Sequence, residues 1–114
     1  MPRTHHAINY IEFACTQPER IRAFYGAVFG WTFQDYGPSY LAFNDGSLDG
    51  GFTTEATGSH AGPLVVLYSD NLESTLEDVK AHGGSIEKEV FAFPGGRRFH
   101  FADPDGNLLA VWSE

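Results

Sequence analysis

The sequence predicts an α+β fold of two βαβββ modules, one after the other in a single domain of 114 residues. Three observations predict it. Short stretches alternate apolar and polar residues, as half-buried strands do. Two stretches between them have helical periodicity and begin with capping residues. The order of one strand, one helix and three strands occurs twice, at an offset of 54 residues, which is the spacing from Gly30 to Gly84.

The first module is predicted at about residues 7–54. It opens with a strand from Ala7 to Cys15, which carries Tyr10 and Glu12 on one face and apolar residues on the other. The helix that follows is predicted from a capping box, an apolar stripe and a glycine suited to a left-handed stop. These are Thr16-Gln17-Pro18-Glu19, then Ile21, Phe24, Tyr25 and Val28, then Gly30. Further strands are predicted at 31–36, 39–43 and 48–54.

The polar, glycine-containing stretch 55–62 is predicted as a linker, and the second module follows at about 63–113. A strand at 63–69 precedes a second capping box, Asp70-Asn71-Leu72-Glu73. The second helix has the apolar stripe Leu72, Leu76 and Val79, and Gly83-Gly84 ends it. The remaining strands are predicted at 85–93, 97–102 and 108–112. The turn before the last strand, Asp103-Pro104-Asp105-Gly106, has Pro and Gly where a type I turn favours them.

The helix of a βαβββ module covers only one face of its four-stranded sheet, so the opposite face needs another cover. We expect two curved mixed sheets that form a cup between them. On the first strand the cup face would carry a phenol and a carboxylate, Tyr10 and Glu12, which favour water or a ligand over a packed core.

The composition excludes several classes of protein. Seven basic residues against 15 acidic ones give a net charge of −8, which opposes binding to a nucleic-acid backbone and attracts cationic ligands. Cys15 is the single cysteine, so there is no intrachain disulfide. No stretch has the pattern of a signal peptide or the length of a membrane span. We expect a cytoplasmic protein that binds neither nucleic acid nor membrane.

Two motifs carry a resemblance to a known family. They are Phe24-Tyr25 followed by Phe29-Gly30-Trp31 at the end of the first helix, and Asp103-Pro104-Asp105-Gly106-Asn107 before the last strand. With the duplication, they resemble the vicinal oxygen chelate superfamily, which includes glyoxalase I, extradiol dioxygenases and bleomycin-resistance proteins. The resemblance covers residues 7–113 and implies the fold of that superfamily. It is closest to a glyoxalase-like branch with Gly-Gly in the fourth strand and a Pro-Gly-Gly-Arg-Arg hairpin.

The resemblance also implies where a metal would bind. In metal-dependent members, His, Glu or Gln ligands come from the first and last strand of each module. Their positions fall on Tyr10, Leu64 and Ala110 here, and the fourth falls near Gly50, Gly51 or Phe52. None of these is His, Glu or Gln, and Leu and Ala cannot ligate a metal. A shift of one residue would offer Glu12 or Asp49, which come from only one half of the cup. We therefore expect no metal and no cofactor.

The alternation predicts which residues line the cup and contact the ligand. They are Tyr10, Leu64, Val66, Tyr68, Ala110 and Trp112. Arg98 is a further candidate contact of the ligand. Such a lining suits a flat or aromatic small molecule. Glu12 is a candidate general base, because a carboxylate in apolar surroundings is a stronger base. The alternative is a structural Glu12 that lies at a rim or pairs with Arg98.

His100 is the second candidate catalytic residue. It shares a face with Arg98, opposite Phe99 and Phe101, and the sequence does not decide which face is the cup. If it points into the cup, His100 and Glu12 could form an acid–base pair. The alternative is a hydrogen-bonded or edge histidine without a catalytic role.

Three functions follow from these observations. The first is a metal-independent small-molecule-binding protein of glyoxalase or bleomycin-resistance type, whose ligand is cationic or aromatic. The second is a metal-free lyase or isomerase that uses Glu12 with or without His100. The third, a metal-dependent glyoxalase-like lyase, rests on the resemblance alone. Exposed strand edges predict a homodimer, and whether modules pair within or between chains stays open.

Overall fold

The computed structural model of the protein describes residues 5–6, 8–55 and 63–114. The chain forms two compact units that divide between residues 58 and 59, a boundary inside the predicted linker. Of that linker, only Glu55 lies among the described residues. Each unit has the element order of one predicted module.

The first unit is a four-stranded mixed sheet with one helix packed on it. Its elements are β1 (Tyr10–Ala14), α1 (Pro18–Phe29), β2 (Thr32–Asp35), β3 (Tyr40–Asn44) and β4 (Asp49–Thr53). The strands lie in the order β1-β4-β3-β2. β1 runs parallel to β4, and the other neighbours are antiparallel. A parallel pair needs a long crossover connection, and α1 with β2 and β3 supplies it.

The second unit repeats this arrangement. Its elements are β5 (Val65–Tyr68), α2 (Leu72–Ala81), β6 (Ser85–Phe93), β7 (Gly96–Ala102) and β8 (Leu108–Ser113). The strands lie in the order β5-β8-β7-β6, with β5 parallel to β8. The predicted α+β fold of two βαβββ modules is therefore confirmed.

Aromatic rings fill the space between α1 and its sheet. Tyr25 stacks on Trp31 with ring centroids 4.5 Å apart and packs against Phe52 at 5.3 Å. Trp31 stacks in turn on Phe43 at 4.5 Å. Burying a ring of this size stabilises the fold by about 1.5–3 kcal/mol. Of the predicted helical stripe, Ile21, Phe24 and Tyr25 are buried and Val28 is half-buried.

The core of the second unit is largely aliphatic on its helix side. The predicted stripe of α2 is buried over its whole length, at Leu72, Leu76 and Val79. The sheet contributes four fully buried apolar side chains that share one face, namely Phe99, Phe101, Leu109 and Val111. Because alternate residues of β7 and β8 are committed to this core, the residues between them must lie on the other face.

Both helices begin one residue later than the capping boxes predict. The N-cap of α1 is Gln17, and its side chain does not cap the first turn. Pro18 then takes the first helical position, where its missing N–H costs nothing. The N-cap of α2 is Asn71, whose Oδ1 accepts a hydrogen bond from the Ser74 N–H at 3.1 Å. Asn and Asp cap about equally well, so preference alone could not choose Asn71 over Asp70.

The glycine stops are confirmed. Gly30 follows α1 with φ of 73°, and its N–H donates to the Gly26 carbonyl at 3.2 Å. Gly83 follows the C-cap of α2 with φ of 100°. A residue with a Cβ adopts this left-handed conformation only at a cost. Neither helix in the described residues is long and apolar enough to cross a membrane.

Candidate functional site

Strand register defines an open face on the first sheet, opposite the face that α1 covers. Glu12 is paired with Gly51, and Gly51 with Ala42. Paired residues point to the same side of a sheet, and residues two apart along a strand do so too. Tyr10 and Glu12 therefore share the open face, as their alternation predicts, while Phe52 lies in the core beneath α1.

Two phenols meet on this face. The hydroxyls of Tyr10 and Tyr40 lie 2.6 Å apart in a hydrogen bond. Gly51 makes this possible, because a Cβ at that position would overlap the Tyr40 hydroxyl. Burial raises the pKa of the Tyr40 phenol, and its hydrogen bond with Tyr10 and the nearby charges of Tyr10 and Glu12 raise it further. The Tyr40 phenol is therefore protonated at physiological pH and can act as a hydrogen-bond donor.

A shallow depression on the same face has a polar lining. Thr32, Gln34, Asn44 and Asp49 contribute to it. The Asn44 amide donates to Asp49 Oδ1 at 2.8 Å, which holds both side chains in place. Together with the phenols and Glu12, this face offers donors and acceptors to a small polar ligand.

The second sheet also has an open face, and it holds six of the predicted site residues. Val66 is paired with Ala110, and Ala110 with His100. Tyr68 is paired with Trp112, and Trp112 with Arg98. The question of which face His100 occupies is thus answered: His100 and Arg98 lie opposite the face that α2 covers. Leu64, the remaining predicted contact of this unit, immediately precedes β5 and is half-buried.

Aromatic side chains surround Arg98 on this face. Phe91 is paired with Arg98 across the β6–β7 ladder, and the Arg98 guanidinium lies 5.4 Å from its ring centroid. Phe93 lies 5.6 Å from the same guanidinium. Trp112 makes an edge-to-face contact with Tyr68 at 5.1 Å. These rings form an apolar frame with a cation inside it.

His100 lies in a cationic environment. Burial lowers the pKa of its imidazole, and the positive charges of Arg98 and Lys88 lower it further. Lys88 reaches this face because it is paired with His100. Its ammonium also lies 4.4 Å from the centroid of the Phe91 ring. At neutral pH the imidazole is therefore neutral, with one nitrogen able to accept and one able to donate a hydrogen bond.

The lowered pKa of His100 predicts a loss of stability in mild acid. In the unfolded chain His100 has the ordinary pKa of 6.5, whereas in the folded protein its pKa is lower. Stability therefore falls as the pH drops from about 6.5 to the lowered pKa, and it levels off below that. In urea unfolding across this range, His100→Gln should flatten the decline. If stability declines with falling pH as steeply in this variant as in the wild type, the prediction is wrong. In a separate NMR titration, Arg98→Gln should raise the pKa of His100, because it removes a nearby positive charge.

Several residues that complete these faces were not predicted from the sequence, among them Tyr40, Lys88, Phe91 and Phe93. Tyr40 could have been found, because it alternates with the buried Leu41 and Phe43 along β3. Lys88 and Phe91 could not, because register shifts between Ile86 and Lys88 and between Lys88 and Phe91 break the alternation of β6. A bulge of this kind re-aims the side chains that follow it.

The positions where the resemblance implies metal ligands do not fit a metal. Leu64 and Ala110 have no donor atom, and Gly51 is the fourth-strand residue on the open face. Among the described residues, no group of three His, Cys, Asp or Glu side chains could hold an ion. A catalytic metal needs about three protein ligands plus an open position.

Comparisons with known proteins agree with this architecture. The family model of the glyoxalase/bleomycin resistance protein/dioxygenase superfamily matches residues 7–111. No curated protein matches the chain in sequence. Solved structures do match it, at identities that establish the fold alone.

Three of these structures illustrate the range. A glyoxalase-related enzyme from Fulvimarina pelagi is 21% identical, with a TM-score of 0.81, over 96% of this chain and 88% of its own. A fosfomycin resistance protein from Mesorhizobium loti is 15% identical, with a TM-score of 0.79, over 97% and 94%. A lactoylglutathione lyase from Agrobacterium tumefaciens is 18% identical, with a TM-score of 0.72, over 97% and 96%.

Proposed function

Because the chain belongs to the glyoxalase/bleomycin resistance protein/dioxygenase superfamily, we propose that it binds a small molecule on its open sheet faces without a metal ion. One observation carries the proposal. Where the resemblance implies metal ligands, this chain has Leu64 and Ala110, and the same faces present aromatic rings and oriented polar groups instead. The fold alone does not decide function, so the site residues must.

The lining of these faces supports binding. Tyr10 is 45% exposed and Tyr68 is 55% exposed, although both are large side chains that a core would bury. Such rings can cover the flat body of a ligand, while their hydroxyls orient it. The hydrogen-bonded Tyr10–Tyr40 pair and the framed Arg98 supply polar contacts that are already positioned before a ligand arrives.

A second candidate function is a metal-free lyase or isomerase, and the position of Glu12 favours it. The carboxylate shares its face with two phenols, and its charge raises the pKa of one of them, Tyr40. A carboxylate that removes a proton beside phenols that donate to the developing oxyanion is a plausible catalytic arrangement. However, Glu12 is exposed, so the apolar surroundings that would strengthen it as a base are not found. We therefore rank binding first.

A thermal-shift screen tests the proposed function. A library of small aromatic anions, cations and neutral molecules, with and without added Ni²⁺, Zn²⁺ or Fe²⁺, is incubated with the protein. A ligand at 100 times its Kd should raise the midpoint temperature of unfolding by roughly 10 °C, because it binds only the folded state. The increase should be the same with and without metal. Stoichiometric metal in protein purified without chelator, or shifts that require metal, would contradict the proposal.

Substitution of Glu12 separates binding from catalysis. The wild type and Glu12→Gln should bind the hit equally within a few-fold, and neither should convert it, as followed by chromatography of the ligand. Glu19→Gln, a matched change at an exposed carboxylate in the first turn of α1, is the control. Turnover by the wild type that Glu12→Gln abolishes and Glu19→Gln retains would establish the catalytic alternative instead.

The homodimer and the cytoplasmic location remain predictions of the sequence. The homodimer bears on the site if the partner chain contributes residues to it.

A further inference from the structure

Among the described residues, Arg98 has no anionic partner. The ion pairs among the described residues are Arg22–Asp35, Lys80–Glu77 and Arg97–Glu73. Arg98 takes part in none of them, although the described residues include all 15 acidic side chains. Its neighbour Arg97 lies on the opposite side of the strand and is paired. The chain has a net charge of −8, yet no described carboxylate offsets the cost of desolvating this guanidinium.

On the open face of the second sheet, two buried nitrogen atoms of the described residues also lack partners. Arg98 Nε and His100 Nε2 are inaccessible to solvent and make no hydrogen bond in the described residues. A buried polar atom left unpaired costs about 1–3 kcal/mol. Such atoms commonly mark the place of a water, an ion or a ligand. Both belong to adjacent positions on one face of β7, about 7 Å apart along the strand.

The local charge is the reverse of the overall charge. Lys88, Arg98 and His100 occupy neighbouring positions of one sheet face, and the charges that act on His100 are the two cationic ones. An anion is therefore favoured here, although the whole chain attracts cations. The net charge of −8 opposes a dianion such as phosphate more than a monoanion.

The rings around Arg98 indicate what the anion is attached to. Phe91 and Phe93 hold the guanidinium, and Phe93 also contacts Trp112 at 6.3 Å between ring centroids. Such surroundings suit a flat apolar body. The planar fork of an arginine matches the two oxygens of a carboxylate.

We propose that the open face of the second sheet binds an aromatic monocarboxylate, with the carboxylate on Arg98 beside His100 and Lys88 and the ring against Phe93 and Trp112. This proposal rests on the proposed binding function and names the class of its ligand. It replaces the cationic ligand expected from net charge with an anionic one.

Isothermal titration calorimetry tests the proposal by measuring the Kd of four matched probes. The probes are 1-naphthoate, neutral 1-naphthamide, cationic 1-naphthylmethylamine and inorganic phosphate. We expect 1-naphthoate to bind at least tenfold tighter than each of the others. Arg98→Gln should weaken its binding at least tenfold, and Arg98→Lys should restore part of the loss. Arg97→Gln, which makes the same charge change at the neighbouring residue, should stay within about twofold of the wild type.

The contrary outcomes separate the two proposals. Equal binding of naphthoate and naphthamide, tighter binding of the amine, or indifference to Arg98→Gln would overturn the carboxylate site and leave small-molecule binding intact. Phosphate that binds as tightly as naphthoate and competes with it would overturn the carboxylate assignment. Binding of a library compound when none of the four probes binds would also overturn the site, whereas no binding of any compound would overturn the proposed function as well.

Discussion

Gly50→Ala is expected to destabilise the protein by about 3 kcal/mol or more, the largest effect of any single methyl group that we foresee. Gly50 is buried in β4, between β1 and β3. A Cβ at this position would overlap both the carbonyl oxygen of Ile11 and the ring of Phe43. The carbonyl belongs to the neighbouring strand and cannot move without breaking the parallel ladder. The ring cannot move either, because it is stacked on Trp31.

Gly26→Ala is the matched control for this substitution. Gly26 lies inside α1, is exposed, and leaves 3.9 Å between an added Cβ and the nearest atom, the carbonyl oxygen of Trp31. Alanine should stabilise the helix there by about 0.5–1 kcal/mol, because glycine has greater freedom to lose on folding. Urea unfolding of both variants measures the difference. Equal stability of Gly50→Ala and the wild type would mean that β4 does not approach its neighbours as closely as described.

The glycine pair of β4 shows how far sequence reasoning reaches. Consecutive glycines weaken a strand, although the sequence still predicts one at 48–54. The structure places both glycines in that strand, because each makes room for a ring: Phe43 on the helix side of Gly50, and Tyr40 on the open side of Gly51. This need arises from side chains of the neighbouring strand, about ten residues earlier in the chain, so no local pattern could reveal it.

Alternation, by contrast, is a local property, and it predicted the faces of β1, β5 and β8 well. Ile11 and Phe13 separate from Tyr10 and Glu12 without any knowledge of partners. The same reasoning cannot assign the faces of β6, where register shifts interrupt the period. It was undecided for β7, because Arg98 and His100 on one side and two phenylalanines on the other do not by themselves say which side a helix covers. The burial of Phe99 and Phe101 in the core settles that question.

Net charge does not describe the charge at a single site. The net charge of −8 predicted a cationic ligand, yet three basic side chains share one sheet face. Net charge sums over the whole surface, whereas a ligand responds to the charges within a few ångströms and to those that ions do not screen. The register of β6 against β7 was needed to bring Lys88 together with Arg98 and His100.

Asp103→Ala is expected to cost about 3 kcal/mol or more of stability, through a turn rather than a core side chain. Asp103 is 4% exposed, and its Oδ1 accepts from the N–H groups of Asp105 and Asn107 at 2.8 and 3.0 Å. Its Oδ2 accepts from the Asn107 side-chain amide at 2.9 Å. Alanine would leave these donors without their acceptor, two of them in a buried position that water does not replace. The turn would then no longer hold the start of β8, on which both the core and the open face depend.

An exposed aspartate in another turn gives the comparison. Asp45 accepts from the N–H groups of Ser47 and Leu48 at 2.8 and 2.6 Å in the β3–β4 hairpin. Because that turn is exposed, water can take over as acceptor, and Asp45→Ala should cost only about 0.5–1.5 kcal/mol. Asp103→Asn, which keeps one acceptor oxygen, should fall between the two alanine variants. Urea unfolding ranks the three, and faster hydrogen exchange at the Asn107 amide in Asp103→Ala should locate the loss. If both alanine variants cost the same, burial of the carboxylate is not what makes the turn before β8 a structural requirement of this fold.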